Sequence, residues 1–231
     1  MATSGTRTFN PSLGELVLYA YQLIGIRPTA ILQEHMSAAR MAANLVLADW
    51  GNKGVNLWEV ELVTVPFVEG QASYSVDPAV VNILDLYTTT VSGTQNIDRY
   101  ILPVSRTEYA TYQNKAQQGF PTTYWHDRLN VSPVVNFWPT PDGNSAASFS
   151  YYAMQQMQDA NFTSSQTVDM IYLALRAFAY DLACELAQIW NPTLLVTLQP
   201  RAQKFFDAFA AENVEISNFF ISPTVSSYWR V

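Results

Sequence analysis

Several things are scarce in this chain of 231 residues, and each scarcity excludes something. Charged residues make up only 13%, about half the usual share near 25%. The polar surface must therefore come from Ser, Thr, Asn, Gln and Tyr, a composition that repels itself weakly and suits stacking against neighbours. Lys and Arg number 12 against 19 acidic residues, for a net charge of −7. The basic residues are scattered, and nucleic-acid readers need a basic face to neutralise phosphates. Sequence-specific DNA or RNA binding is excluded on that ground; an acidic wall past which DNA slides without sticking is compatible with it. One cysteine, Cys184, leaves no intrachain disulfide and no cysteine-based zinc cage. It sits inside an apolar helical pattern, where a buried core thiol is expected. The two histidines, His35 and His126, lie in different predicted elements and lack a second histidine at ligand spacing. No metal or cofactor is expected. The opening "MATSGTRTFNPS" has no apolar signal core, and no apolar run reaches membrane-spanning length. A soluble chain without membrane contact is expected. Phosphate-cradling loops, dinucleotide glycine fingerprints and nucleophile elbows are missing too.

What is present is periodicity. Hydrophobic residues make up 49% of the chain, enough for a substantial core. Residues 1–11 read as a flexible polar arm. Ser12-Leu13-Gly14-Glu15 is a capping box, and Leu13, Leu16, Val17, Ala20, Leu23 and Ile24 follow at helical spacing. A second helix is predicted from about Gln33 to Trp50, with Met36, Ala39, Ala43, Val46, Leu47 and Trp50 as its stripe and Gly51 or Gly54 as its stop. These two helices are expected to pack as an antiparallel pair. From Trp58 the period becomes that of strands: "WEVEL", "SYSV", "VVNILDLYTTTV", "RYILPV", "TTYWHDR", "VVNFW" and "ASFSYYAM", with a short helix and loop over residues 105–119. Helical spacing returns at Val168, Ile171, Leu175, Phe178, Leu182, Leu186 and Ile189, ending at Asn191-Pro192. A last helix is expected to carry Pro200 in its first turn and the stripe Ala202, Phe205, Phe206 and Phe209 to about Ser217. The expected fold is α+β: a four-helix bundle from residues 12–54 and 160–217, interrupted by an antiparallel β-sandwich or small barrel over residues 55–159, with a C-terminal segment, residues 218–231.

The one stretch suggestive of an enzyme is "YWHDR". On a strand, neighbours face opposite sides, so His126 and Asp127 do not form one hydrogen-bonded unit. Trp125 and Asp127 share one face; Tyr124, His126 and Arg128 share the other. Glu59 and Glu61 read as a pair on one strand face, pointing to solvent or a neighbouring subunit, without the supporting motif of a glycosidase. The C-terminal aromatics have two readings: they fold back onto the bundle, or they anchor a partner.

In order along the chain, "LGELVLYAYQLIGI", "MSAARMAANLVLADWGNKGVNLWEVE", "EGQASYSVDPAVVNILDLYT", "DRYILPVSRTEYATYQNKAQQGFPTTYWHDR", "VNFWPTPDG" and "AFAYDLACELAQIWNP" resemble the head-to-tail adaptor proteins of short-tailed phages, the tail tubular protein A or packaged-DNA stabilisation type. The resemblance spans most of residues 12–216. It implies a structural, non-catalytic virion component of the neck, assembled in the host cytoplasm. The implied form is a dodecameric ring between the portal protein and the tail nozzle protein, with a tail fibre as a further partner and DNA passing through its channel. Portal docking falls to the C-terminal segment, with Phe219, Phe220, Ile221, Tyr228 and Trp229 as the candidate anchors. A carbohydrate-binding or hydrolytic tail module is the alternative, on the strength of "YWHDR" and exposed aromatics that could stack on sugars.

Overall fold

A computed structural model describes residues 5–6, 8–55, 57–92, 94–144, 146–161 and 166–214. Ser12 starts helix α1 (Leu13–Leu23): its hydroxyl accepts the Glu15 N–H at 3.3 Å, and the Glu15 carboxylate accepts the Ser12 N–H at 2.8 Å. Both halves of the capping box are formed. Helix α2 (Gln33–Lys53) runs past Gly51 and stops at Gly54, whose φ of 70° is left-handed and suits glycine. Helices α3 (Arg106–Thr111), α4 (Leu175–Trp190) and α5 (Leu195–Glu212) complete the set among the described residues.

Two helix boundaries differ from expectation. Helix α4 begins at Leu175, after a 3-10 turn over Tyr172–Ala174, and not near Val168. The backbone just upstream is engaged elsewhere: Gln166 C=O accepts the Leu13 N–H at 2.8 Å, and Ser12 and Thr167 form an isolated antiparallel bridge. An orphan donor of the α1 N-terminus thus takes the carbonyl that would have extended α4. Helix α5 begins at Leu195, so Pro200 lies inside it and not in its first turn. The bond that proline forfeits is the one to the carbonyl of Val196, an exposed residue whose carbonyl can turn to water.

Helices α1, α2, α4 and α5 contribute to one hydrophobic core that includes Val17, Ala20, Ala39, Ala43, Trp50, Phe178, Leu182, Leu186, Ala202 and Phe209. Helix α4 is the common partner. It is apolar nearly all round, and α1, α2 and α5 each pack on it. The expected α1–α2 pair is therefore not the main contact. Those two helices meet where the Tyr21 hydroxyl donates to the His35 carbonyl and the two rings stand edge to face.

Among the described residues there are ten strands: β1 (Val60–Pro66), β2 (Ser73–Ser75), β3 (Val80–Ser92), β4 (Gln95–Tyr100), β5 (Leu102–Pro103), β6 (Gln118–Gly119), β7 (Thr123–Asp127), β8 (Val134–Trp138), β9 (Thr140–Pro141) and β10 (Ser148–Gln155). They form sheets in the orders β1-β10-β3-β4, β2-β8-β7-β5 and β6-β9. Pairing is antiparallel except for the two-residue contacts β5–β7 and β6–β9, which are parallel. The first exception arises where the buried Ile101 carries the chain from one four-stranded sheet to the other, so that β5 arrives running alongside β7.

The two four-stranded sheets share a second core. Tyr74, Phe137 and Phe149, with the partly buried Phe67, bring their ring centroids within 4.7 to 5.7 Å of one another. Phe137 and Phe149 are wholly buried. The protein is thus α+β, with five helices and several antiparallel sheets among the described residues. At the crossing between helices and strands, the Asn44 side chain accepts the Ala160 N–H at 2.9 Å and donates to the Ala160 carbonyl at 3.1 Å.

Candidate functional site

The β7–β8 hairpin carries the stretch most suggestive of chemistry. Tyr124 is buried on one face of β7; Trp125, on the other, leans on Tyr109 with centroids 5.4 Å apart. His126 shares the Tyr124 face and Asp127 turns away, as strand alternation requires. Burial holds the His126 imidazole below its usual range, the Arg128 charge adds to this, and Asp127 opposes it. The Nε2 of His126 has no hydrogen-bond partner, and Arg128 is committed to the Asn82 side chain at 2.7 Å. The hollow beside them measures about 150 Å³ and is lined by Asn82, Val104, Trp125, His126 and Arg128 among others, with no carboxylate in its wall. No acid–base dyad is assembled there. Downstream, Trp138 stacks on Tyr112 at 4.2 Å and donates to the Asn114 carbonyl at 3.0 Å, which pins the loop after α3. Both tryptophans of the stretch are thus engaged in ring contacts, Trp125 with Tyr109 and Trp138 with Tyr112. Replacing His126 and Asp127 together by Ala is expected to leave the chain folded and to change its unfolding free energy by about 1 kcal/mol or less, as read in a urea titration.

The acidic pair expected on a strand, Glu59 and Glu61, is not formed. Glu59 lies in a 3-10 turn (Leu57–Glu59) before β1 begins, because the Trp58 indole donates to the Asp169 carbonyl at 3.3 Å and turns the chain inward. Glu59 instead faces Asp169. Burial first, then the charge of Asp169 and a hydrogen bond to it, push Glu59 up to about 7. Its ordinary value is 4.5, so folding favours the protonated form. Stability should therefore fall as pH rises from 4.5 to about 7, with the full penalty present above that window. Glu59→Gln is expected to flatten this slope and to raise the urea midpoint at pH 8 relative to the parent. An unchanged slope would remove Glu59 as its source.

The remaining titratable singletons are structural. His35 Nδ1 accepts the Leu32 N–H at 3.1 Å, capping α2, and the ring stacks on Trp190 at 4.2 Å. A histidine at the third position of the helix was the sequence signal for this cap. Burial, with Asp181 and Glu185 nearby, pushes the Cys184 thiol up to about 11, so little thiolate forms. Among the described residues no group of three or more His, Cys, Asp or Glu side chains is placed to hold a metal ion. The five residues expected to dock, Phe219, Phe220, Ile221, Tyr228 and Trp229, lie outside the described residues.

What the described surface does offer is apolar contact area. A groove of about 630 Å³ runs between α1 and the turn before α4, lined by Phe9, Tyr19, Tyr172, Leu173 and Arg176 among others. Phe9 meets Tyr172 edge to face at 6.4 Å. On the outer face of the first sheet, Leu62, Leu84, Tyr100 and Tyr152 are exposed. Sequence reading missed both patches, since helix and strand periods locate the buried stripe and leave the outward residues unranked.

The described residues thus present two packed cores and exposed apolar surfaces. The model of the SU10 adaptor protein family matches residues 20–218, from the last turn of α1 to beyond α5, and the chain belongs to that family. It is a phage adaptor protein, a structural component of the virion that associates with portal and tail components. No curated protein matches the chain. Among the described residues no helix is long and apolar enough to cross a membrane.

Proposed function

We propose that this protein is the head-to-tail adaptor of a short-tailed phage, forming a dodecameric ring below the portal, joining it to the tail nozzle and helping to retain packaged DNA. The observation that carries the reading is the family match over residues 20–218. Composition supports it: with a net charge of −7 and few basic residues, a channel wall built from this chain would neither grip DNA nor slow its exit. In this reading α1, α2, α4 and α5 (residues 12–54 and 160–217) are a four-helix bundle that forms the ring body. Residues 55–159 are a β-sandwich inserted into it, and residues 218–231 dock on the portal through Phe219, Phe220, Ile221, Tyr228 and Trp229. Particles made without the chain test it. Heads should then carry portal but no nozzle, and should lose their DNA. Tailed, DNA-filled particles lacking the chain would overturn the reading.

A further inference from the structure

The sheet β1-β10-β3-β4 has two open edges: no described segment pairs with the outer side of β1 or of β4. The groups that face outward follow from two hydrogen bonds. Phe67 N–H donates to the directly opposite Ala147 carbonyl at 3.0 Å, so Val65, Val63 and Glu61, at the same parity, also turn their backbone toward β10. Leu62 and Thr64 then turn N–H and C=O outward, and Pro66 occupies an outward position where it has no N–H to leave unpaired. At the other edge, Ile101 N–H donates to the opposite Leu86 carbonyl at 2.9 Å. Arg99 and Ile97 therefore bond to β3, while Asn96, Asp98 and Tyr100 face outward.

An antiparallel sheet with an even number of strands has edge strands running in opposite directions. A rotation that brings the β4 edge of one copy to the β1 edge of the next therefore makes an antiparallel pair, and the operation can repeat around a ring. The side chains suit this pairing. Leu62 is 47% exposed and Tyr100 is 55% exposed. Both lie on the outer face: Tyr100 is opposite Tyr87, which is opposite Ser150, which is opposite Thr64, two residues from Leu62. The register that sets Leu62 against Tyr100 covers both, and puts Asn96 N–H within reach of the Pro66 carbonyl. On the other face it sets Glu61 and Arg99 on a diagonal, about 7–8 Å apart and within reach of long side chains. Two β1 edges joined about a two-fold axis at Leu62 would instead bring Glu61 near Glu61. Two β4 edges joined at Tyr100 would bring Arg99 near Arg99.

We infer that neighbouring copies of this chain associate by β-strand addition, the β4 edge of one pairing with the β1 edge of the next in the Leu62–Tyr100 register. This deepens the ring reading and rests on it. The test uses the full chain, purified and in assembled particles, carrying Leu62→Cys and Tyr100→Cys together or singly. Hydrogen-bonded antiparallel partners have Cα atoms about 5.5 Å apart, within disulfide range. Mild oxidation of the double variant is expected to give a ladder of linked species beyond the dimer. The single variants, and the parent with its buried Cys184, should give none. Assembled copies that produce no ladder would overturn the β-edge contact and leave the adaptor reading intact. Dimers from a single-cysteine variant would overturn it in favour of two-fold pairing. A chain that neither assembles nor enters particles would remove the ring reading, and this contact with it.

Discussion

Replacing Trp50 with Ala is expected to destabilise the subunit by about 3–5 kcal/mol, the range for deleting a large buried aromatic. Trp50 is fully buried where α2, α4 and α5 converge. Its ring stacks on Phe209 at 5.2 Å and meets Phe178 edge to face at 6.1 Å and Phe206 at 5.7 Å. Its indole N–H donates to Asp181 at 2.7 Å. Burial already raises the Asp181 carboxyl above its ordinary range, and the Trp50 bond is the largest influence holding it down. Removing the indole therefore opens a cavity and leaves a poorly solvated acid without its donor. Trp50→Phe separates the two effects: it keeps most of the packing and should cost only about 1–3 kcal/mol, the penalty for an unsatisfied buried partner. Urea unfolding of the three proteins measures both differences. A loss below about 1 kcal/mol for Trp50→Ala would mean that the helices do not converge on this residue.

Deleting residues 218–231 is expected to have the largest effect on assembly while leaving the subunit folded. The described core extends through α5, and in the proposed reading residues 218–231 serve docking, so unfolding midpoints should hardly move. Docking should fail, because Phe219, Phe220, Ile221, Tyr228 and Trp229 are the proposed anchors. Ordering such a segment costs about 1–2 kcal/mol per backbone residue. Burial of a large apolar side chain returns about 1.5–3 kcal/mol, so five of them on a partner can offset much of the cost. Particles with the truncated chain should lack tails and leak DNA. Hydrogen exchange on the free subunit should find the tail amides unprotected; strong protection would mean that the segment packs on its own subunit.

Local chemistry was legible in the sequence. The Ser12–Glu15 cap, the α2 stripe through Trp50 and the alternation of β7 depend on neighbours a few residues away, and all appear in the structure. Features set by distant partners were not. The apolar spacing at Val168 and Ile171 mimics a helix, but those residues follow the strand-like contact of Gln166 and Thr167 with the start of α1. Trp58 and Glu59 alternate like a strand, yet the Asp169 carbonyl draws the indole inward and moves the strand start to Val60. Pro200 marks a helix start by propensity, whereas the packing of Leu198 on the core places that start five residues earlier, at Leu195. Strand order was beyond reach as well: β1 pairs with β10 across most of the β region, and no short-range pattern encodes that choice. The outward-facing Leu62 and Tyr100 acquire meaning only once both are known to lie on opposite edges of the same sheet.

The most direct measurement of the central claim is an electron cryomicroscopy reconstruction of the phage particle that contains this chain. A single ring between portal and nozzle, with the α1–α2–α4–α5 helices fitting its density, is the expected result. Density for the chain at the tail tip, on the capsid surface, or in no part of the neck would contradict it.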